Sequence, residues 1–136
     1  MRKRIAVLYA LLLMAHAAHV GEEFFGRFWL VGVFGPVLFL ALNAALFCVP
    51  AALFFSVLKS RRGAYILSLV YAGFMAAQGI GHNAATLITG RYRGGFAGGI
   101  SGLALLLIGV PLFLALKKGM PPAANAKPGG SAPTAD

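Results

Sequence analysis

Two of the chain's three histidines and two of its three acidic residues fall within eight consecutive positions, His16-Ala17-Ala18-His19-Val20-Gly21-Glu22-Glu23. On a helix turning about 100° per residue, His16, His19 and Glu23 lie within roughly 60° of one another, with Glu22 further round. Imidazoles and carboxylates on one face form a ligand set for zinc, iron or manganese. The third histidine, His82, can join them from another helix. The expected metal ligands are therefore His19, Glu22, Glu23, His82 and His16, with Glu22 or Glu23 as the catalytic base. The order H-x-x-E-E differs from H-E-x-x-H, in which one helix supplies two histidines and a base glutamate.

The rest of the chain must position this face. Of its 136 residues 60% are hydrophobic and 11% charged, against roughly half and a quarter in a soluble domain. The apolar residues form long runs, which indicates membrane spans rather than one soluble core. The expected fold is all-α, an integral membrane four-helix bundle. The net charge of +9 comes from short basic clusters between apolar runs, where they set topology and meet anionic lipid. No nucleic-acid partner is expected. Cys48, the single cysteine, can form no intrachain disulfide.

Spans are expected at about 5–23, 28–58, 64–90 and 95–116, in a membrane domain of residues 1–118. Arg2, Lys3 and Arg4 before a short apolar run, with Ala15-His16-Ala17 after it, also fit a cleavable signal peptide. The uncleaved helix is the preferred reading, because further spans follow and the polar motif extends it. The second run exceeds the roughly 20 residues a span needs, and Pro36 and Pro50 are places for a kink or break. Gly95, Gly98, Gly99 and Gly102 form small-xxx-small pairs that let the fourth helix approach a neighbour closely. Residues 119–136, rich in Pro, Ala, Gly and Ser, are expected to be a disordered tail.

Nine of the twelve Lys and Arg residues lie at the N-terminus, the 59–62 loop and the C-terminal end. That bias places both termini in the cytoplasm, in the plasma (inner) membrane. His19 precedes Arg27 by eight residues and His82 precedes Arg91 by nine, so both lie roughly 12–14 Å from their loops on the same side of the membrane. Asn43 and Gln78 are expected to support the cluster or to bond between helices. Membrane lipid is the expected partner, and a homo-oligomer could complete a polar pathway that one chain leaves unfinished.

His19-Val20-Gly21-Glu22-Glu23 also resembles the motif that names the HXXEE-domain membrane proteins. The resemblance runs from the first helix to the fourth. That family's pattern has four spans and a later polar-x-x-x-His element, similar to Gln78-Gly79-Ile80-Gly81-His82 here, with Gln in place of Asn. Its third loop is often Tyr-x-Pro-Gly, whereas this chain has Tyr92-Arg93-Gly94-Gly95. The missing proline loosens the turn and leaves the ligands intact. The resemblance supports the fold and the site and carries no biochemical activity with it.

Three functions fit these residues. The leading one is a metal-dependent enzyme acting on a lipid or another apolar small molecule. A metal-free form of it would move a proton with a histidine–glutamate pair. The second is a small proton- or ion-coupled transporter, although the polar seam runs only about halfway inward, through Asn43 and Ser56. The third is a non-catalytic structural subunit whose polar cluster packs helices, with Glu23 paired to Arg27.

Overall fold

In the computed structural model of the chain, residues 2–122 are described, apart from the side chains at 93 and 94. Five α-helices follow one another: α1 Arg2–Phe25, α2 Trp29–Phe34, α3 Pro36–Leu58, α4 Arg62–Thr89 and α5 Gly99–Gly119. A π-helical turn, Tyr92–Phe96, joins α4 to α5. The described residues contain no strand. Among them, α1, α3, α4 and α5 are long and apolar enough to cross a membrane. The fold is thus an all-α helical bundle.

The helix ends follow from local chemistry. After Phe25 the chain reverses through Arg27 at φ 55°. The Phe28 N–H returns to the Glu23 carbonyl (2.8 Å) and the Arg27 N–H to that of Phe24 (3.2 Å). This is a Schellman closure with arginine in the left-handed position that glycine usually takes. Ser60, at φ 56°, ends α3 in the same way. The long second run is cut at Gly35-Pro36. Proline lacks an N–H and disfavours a helical residue before it, and Gly35 takes the bend at φ 75°. Pro50, by contrast, lies inside α3 without ending it. The fourth span starts later than its apolar run does, because Gly98 is left-handed (φ 117°) and serves as the N-cap of α5. Of the tail expected at 119–136, residues 123–136 lie outside the described residues.

Contacts run α1–α3, α3–α4, α4–α5 and α5–α1, which closes a four-helix ring. The outer surface is apolar: Val37, Leu46 and Phe55 of α3 and Leu87 and Ile88 of α4 are exposed. A surface of that kind belongs in hydrocarbon. Lipid supplies little hydrophobic drive between helices, so close backbone approach and polar contacts must hold them. Gly79 of α4 faces Gly102 of α5 so closely that a Cβ on Gly79 would run into the Gly102 carbonyl. A Cβ on Gly109 would come within 3.0 Å of the Ala72 carbonyl.

α1 and α4 lie diagonally in the ring and meet along its axis through three polar rungs. The Tyr9 hydroxyl lies 3.0 Å from Ser68 Oγ, the Tyr71 hydroxyl 3.3 Å from His16 Nδ1, and Glu23 Oε1 3.1 Å from His82 Nε2. On α1 these rungs sit at 9, 16 and 23, a seven-residue spacing that keeps them on one face.

Candidate functional site

The face of α1 read from the sequence points inward, with His16, His19 and Glu23 all buried. Near the C-terminal end of α1, the structure brings His19, Glu23 and His82 together. One ligand atom from each lies within 4.8 Å of the others. All three side chains are buried, at 1%, 4% and 4% exposure. Glu23 Oε1 stands 3.5 Å from His19 Nε2 and 3.1 Å from His82 Nε2. The two imidazoles meet edge to face, centroids 4.8 Å apart. Among the described residues Glu23 pairs with these histidines, and Arg27 is exposed.

The tautomers follow from the partners. His82 Nδ1 lies 3.3 Å from the Phe96 carbonyl, which can only accept, so Nδ1 carries the proton. His19 Nδ1 lies 3.1 Å from Ser101 Oγ. The Ser101 hydroxyl donates its one proton to Glu22 Oε2, so it accepts from His19 Nδ1–H. Both rings therefore aim Nε2 lone pairs at Glu23. Three electron-rich atoms converge in a buried space, which is costly unless a cation sits among them. A proton on His82 Nε2 would serve that histidine and Glu23. It would leave His19 Nε2, which is buried and has no hydrogen-bond partner among the described residues.

Spacing provides a second test. Two ligands each about 2.0–2.1 Å from a tetrahedral ion stand roughly 3.3–3.4 Å apart. The two carboxylate–imidazole spacings, 3.1 and 3.5 Å, bracket that value, and all three ligand atoms lie within 4.8 Å of one another, so the imidazoles would have to draw in around an ion. The group can hold a metal ion through two imidazoles and a carboxylate, the set used by zinc hydrolases and by non-haem iron.

Glu22 is elsewhere. Its side chain reaches across to the start of α5, where Oε1 accepts from the Ile100 N–H (3.1 Å) and from the Tyr92 hydroxyl. Oε2 accepts from the Ser101 N–H (2.6 Å) and the Ser101 hydroxyl. The carboxylate thus closes the N-terminus of another helix, where free N–H groups and the helix dipole favour negative charge. Tyr92, outside the spans, is pushed up to about 12 by burial and then by its bond to this carboxylate. Through Ser101, Glu22 also orients His19, as outer-shell carboxylates orient metal-binding histidines.

His16 lies one turn deeper. Its ring packs against Tyr71 and Phe47 (centroids 5.9 and 5.5 Å). A cavity of about 110 Å³ separates it from Asn43 and Gln78. Asn43 also donates to its own helix at the Phe39 carbonyl (2.9 Å).

Sequence reasoning did not single out Ser101, Tyr92, Phe28 or Gly98 for the site. Gly98 is held tightly: a Cβ there would stand 2.7 Å from His19 Cε1 and 2.9 Å from His82 Nδ1. Its left-handed backbone and its contact with both rings each call for glycine. Phe28 covers the His82 ring at 4.9 Å. Asn83 donates to the carbonyls of Gly79 and Gly99, both at 2.9 Å, fastening α4 to the start of α5. Thr86 donates to the same Phe96 carbonyl that His82 uses (3.3 Å). The sequence signal for this group was the glycine-rich loop before α5, a place where backbone approaches side chains closely.

The fold and the site together define a helical membrane protein with a buried His/Glu centre. Compared with known protein families, curated proteins and solved structures, the chain matches none.

Proposed function

We propose that the chain is a membrane metalloenzyme of the HXXEE type, acting on a lipid or another apolar small molecule at an ion held by His19, Glu23 and His82. The observation that carries this reading is the orphaned His19 Nε2, aimed with a second imidazole lone pair at one carboxylate oxygen. A metal ion satisfies all three groups, whereas one proton satisfies two. An ion in such a site polarises a substrate oxygen or activates water.

The chain's own residues supply the rest. Glu23 Oε1 faces both imidazoles, so Oε2 is the oxygen placed to take a proton. Phe28 and Gly98 pack against the rings and close the space around them. Arg2, Lys3, Arg4, Lys59, Arg61, Arg62, Lys117 and Lys118 lie at the opposite end of the bundle. With that end in the cytoplasm, the site belongs to the outer half of the inner membrane.

The test is metal content of the detergent-purified protein by mass spectrometry, after loading with zinc, iron or manganese. One ion per chain, lost in folded His19→Ala and Glu23→Gln variants, is the expected result. A wild type that retains none after loading contradicts the reading.

The axial rungs favour one second reading, a proton-coupled carrier. The polar file runs from Glu23 and His82 through His16 and Tyr71 to Tyr9 and Ser68. Proton flux into liposomes under a pH gradient, abolished by Glu23→Gln, would favour the carrier over the enzyme.

A further inference from the structure

One turn inward from His19 and His82, the bundle contains a second polar place. The chamber of about 110 Å³ is lined by His16, Asn43, Tyr71 and Gln78, with Leu46, Phe74 and Met75 completing it. That space has room for a small polar head group. His16 is 4% exposed. Its Nδ1 meets the Tyr71 hydroxyl, and Nε2 has no hydrogen-bond partner among the described residues. The Gln78 amide likewise has none there, and the Asn43 amide nitrogen is engaged at Phe39 while its oxygen is unclaimed. Asn43 and Gln78 are half-buried, and polar atoms that face a pocket in an apolar span call for a polar partner.

The chamber reaches the outer surface beside Leu46 and Phe74, and it also adjoins a cleft. Between α1 and α3 runs a cleft of about 410 Å³, lined by Ala17, Val20, Leu40, Ala44 and Phe47, with Asn43 at its edge. Asn43 belongs to both spaces, and Phe47 of the cleft packs on the His16 ring. The cleft opens on the lipid-facing surface, where hydrocarbon is the only abundant occupant. Among the described residues, no lysine or arginine lines either space. A phosphate or carboxylate head would thus meet no counter-charge at this depth, at high cost.

We infer that the α1/α3 cleft and the His16 chamber form one binding site for a neutral lipid alcohol. Its hydrocarbon chain lies in the cleft and its hydroxyl bonds His16, Asn43 and Gln78. A hydroxyl both donates and accepts, which matches this mixture of groups. The inference deepens the proposed function by naming its substrate class and rests on that reading for the chemistry alone. Binding of the alcohol does not require the ion.

The test uses the full chain in phosphatidylcholine nanodiscs and a diazirine-bearing hexadecanol, with cross-linked residues mapped by mass spectrometry. Saturable labelling of Leu40, Ala44 or Phe47, competed by plain hexadecanol, is expected. Ala44→Trp, which fills the cleft, and Asn43→Leu, which removes the shared amide, should each weaken it about tenfold. Diazirine palmitate and diazirine phosphatidylcholine should not label the cleft saturably. Labelling that does not saturate, that spreads equally to Leu87 and Ile88, or that the palmitate or phosphatidylcholine probe reproduces overturns the inference. Saturable labelling of a protein that retains no metal after loading would sink the metalloenzyme and leave the alcohol site standing. Stoichiometric metal without saturable labelling would do the reverse.

Discussion

Glu22 of α1 closes the N-terminus of α5 by accepting from Ser101 twice, from its backbone N–H at 2.6 Å and from its hydroxyl. Because that hydroxyl spends its proton on Glu22, it fixes the His19 proton on Nδ1 and turns Nε2 toward Glu23. The Ser101 side chain thereby links helix packing to the orientation of an imidazole 82 residues away in sequence.

Ser101→Ala breaks this link without touching a ligand. Metal affinity, measured by competition with a chromogenic chelator, should fall roughly 10- to 100-fold, the usual effect of removing an outer-shell partner. The helical signal in detergent should stay near wild type. Unchanged affinity would mean that His19 is oriented by something else.

Gly98 carries two demands at one position. Alanine there must adopt φ 117° and place its Cβ against both imidazoles. Strain of that kind costs about 1–3 kcal/mol before any steric clash. Gly98→Ala should lower the thermal midpoint and abolish metal retention together. A variant that melts and binds like wild type would contradict the geometry around His19 and His82.

Two glycines on α4 make a controlled comparison. A Cβ on Gly79 meets the α5 backbone, whereas one on Gly81 has nothing within 4 Å. Gly79→Ala should destabilise the bundle by about 1–3 kcal/mol through overpacking. Gly81→Ala should be neutral or stabilise by up to about 1 kcal/mol. Denaturant-in-detergent unfolding of both variants decides; equal effects would rule out the close α4/α5 approach.

Tyr92 gives the pH dependence. Burial and the Glu22 bond raise its phenol from the ordinary 10.0 to about 12. A raised folded-state value means that the neutral phenol is the stabilising form. Its contribution is complete below pH 10 and is lost as pH rises through about 12. Difference ultraviolet titration of wild type against Tyr92→Phe should place the missing phenolate transition near 12. A transition at 10 would show that the Glu22 contact is not made.

Much of this was legible in the chain. Helical periodicity alone put His16, His19 and Glu23 on one face, and all three are buried. Counting back from Arg27 and Arg91 put His19 and His82 at one depth, and their rings are 4.8 Å apart. Periodicity set Glu22 further round the helix than Glu23 but did not give the neighbour each would meet, so both were expected as ligands. The difference lies in α5, whose N-terminus meets Glu22 while α4 meets Glu23. The glycine-rich loop marked the turn before α5 but not the roles of Ser101 and Tyr92, because each acts through a contact with a residue 70 or more positions away. His16 shares its face with Glu23 but sits two turns below it, and angle alone does not report that distance.

X-ray absorption of the metal-loaded protein tests the centre most directly. One ion per chain is expected, with two imidazole ligands and carboxylate oxygen at about 2.0–2.2 Å for zinc. His82→Ala should lose one imidazole contribution. An ion without imidazole scattering, or a His82→Ala spectrum identical to wild type, would contradict a centre built from His19, Glu23 and His82.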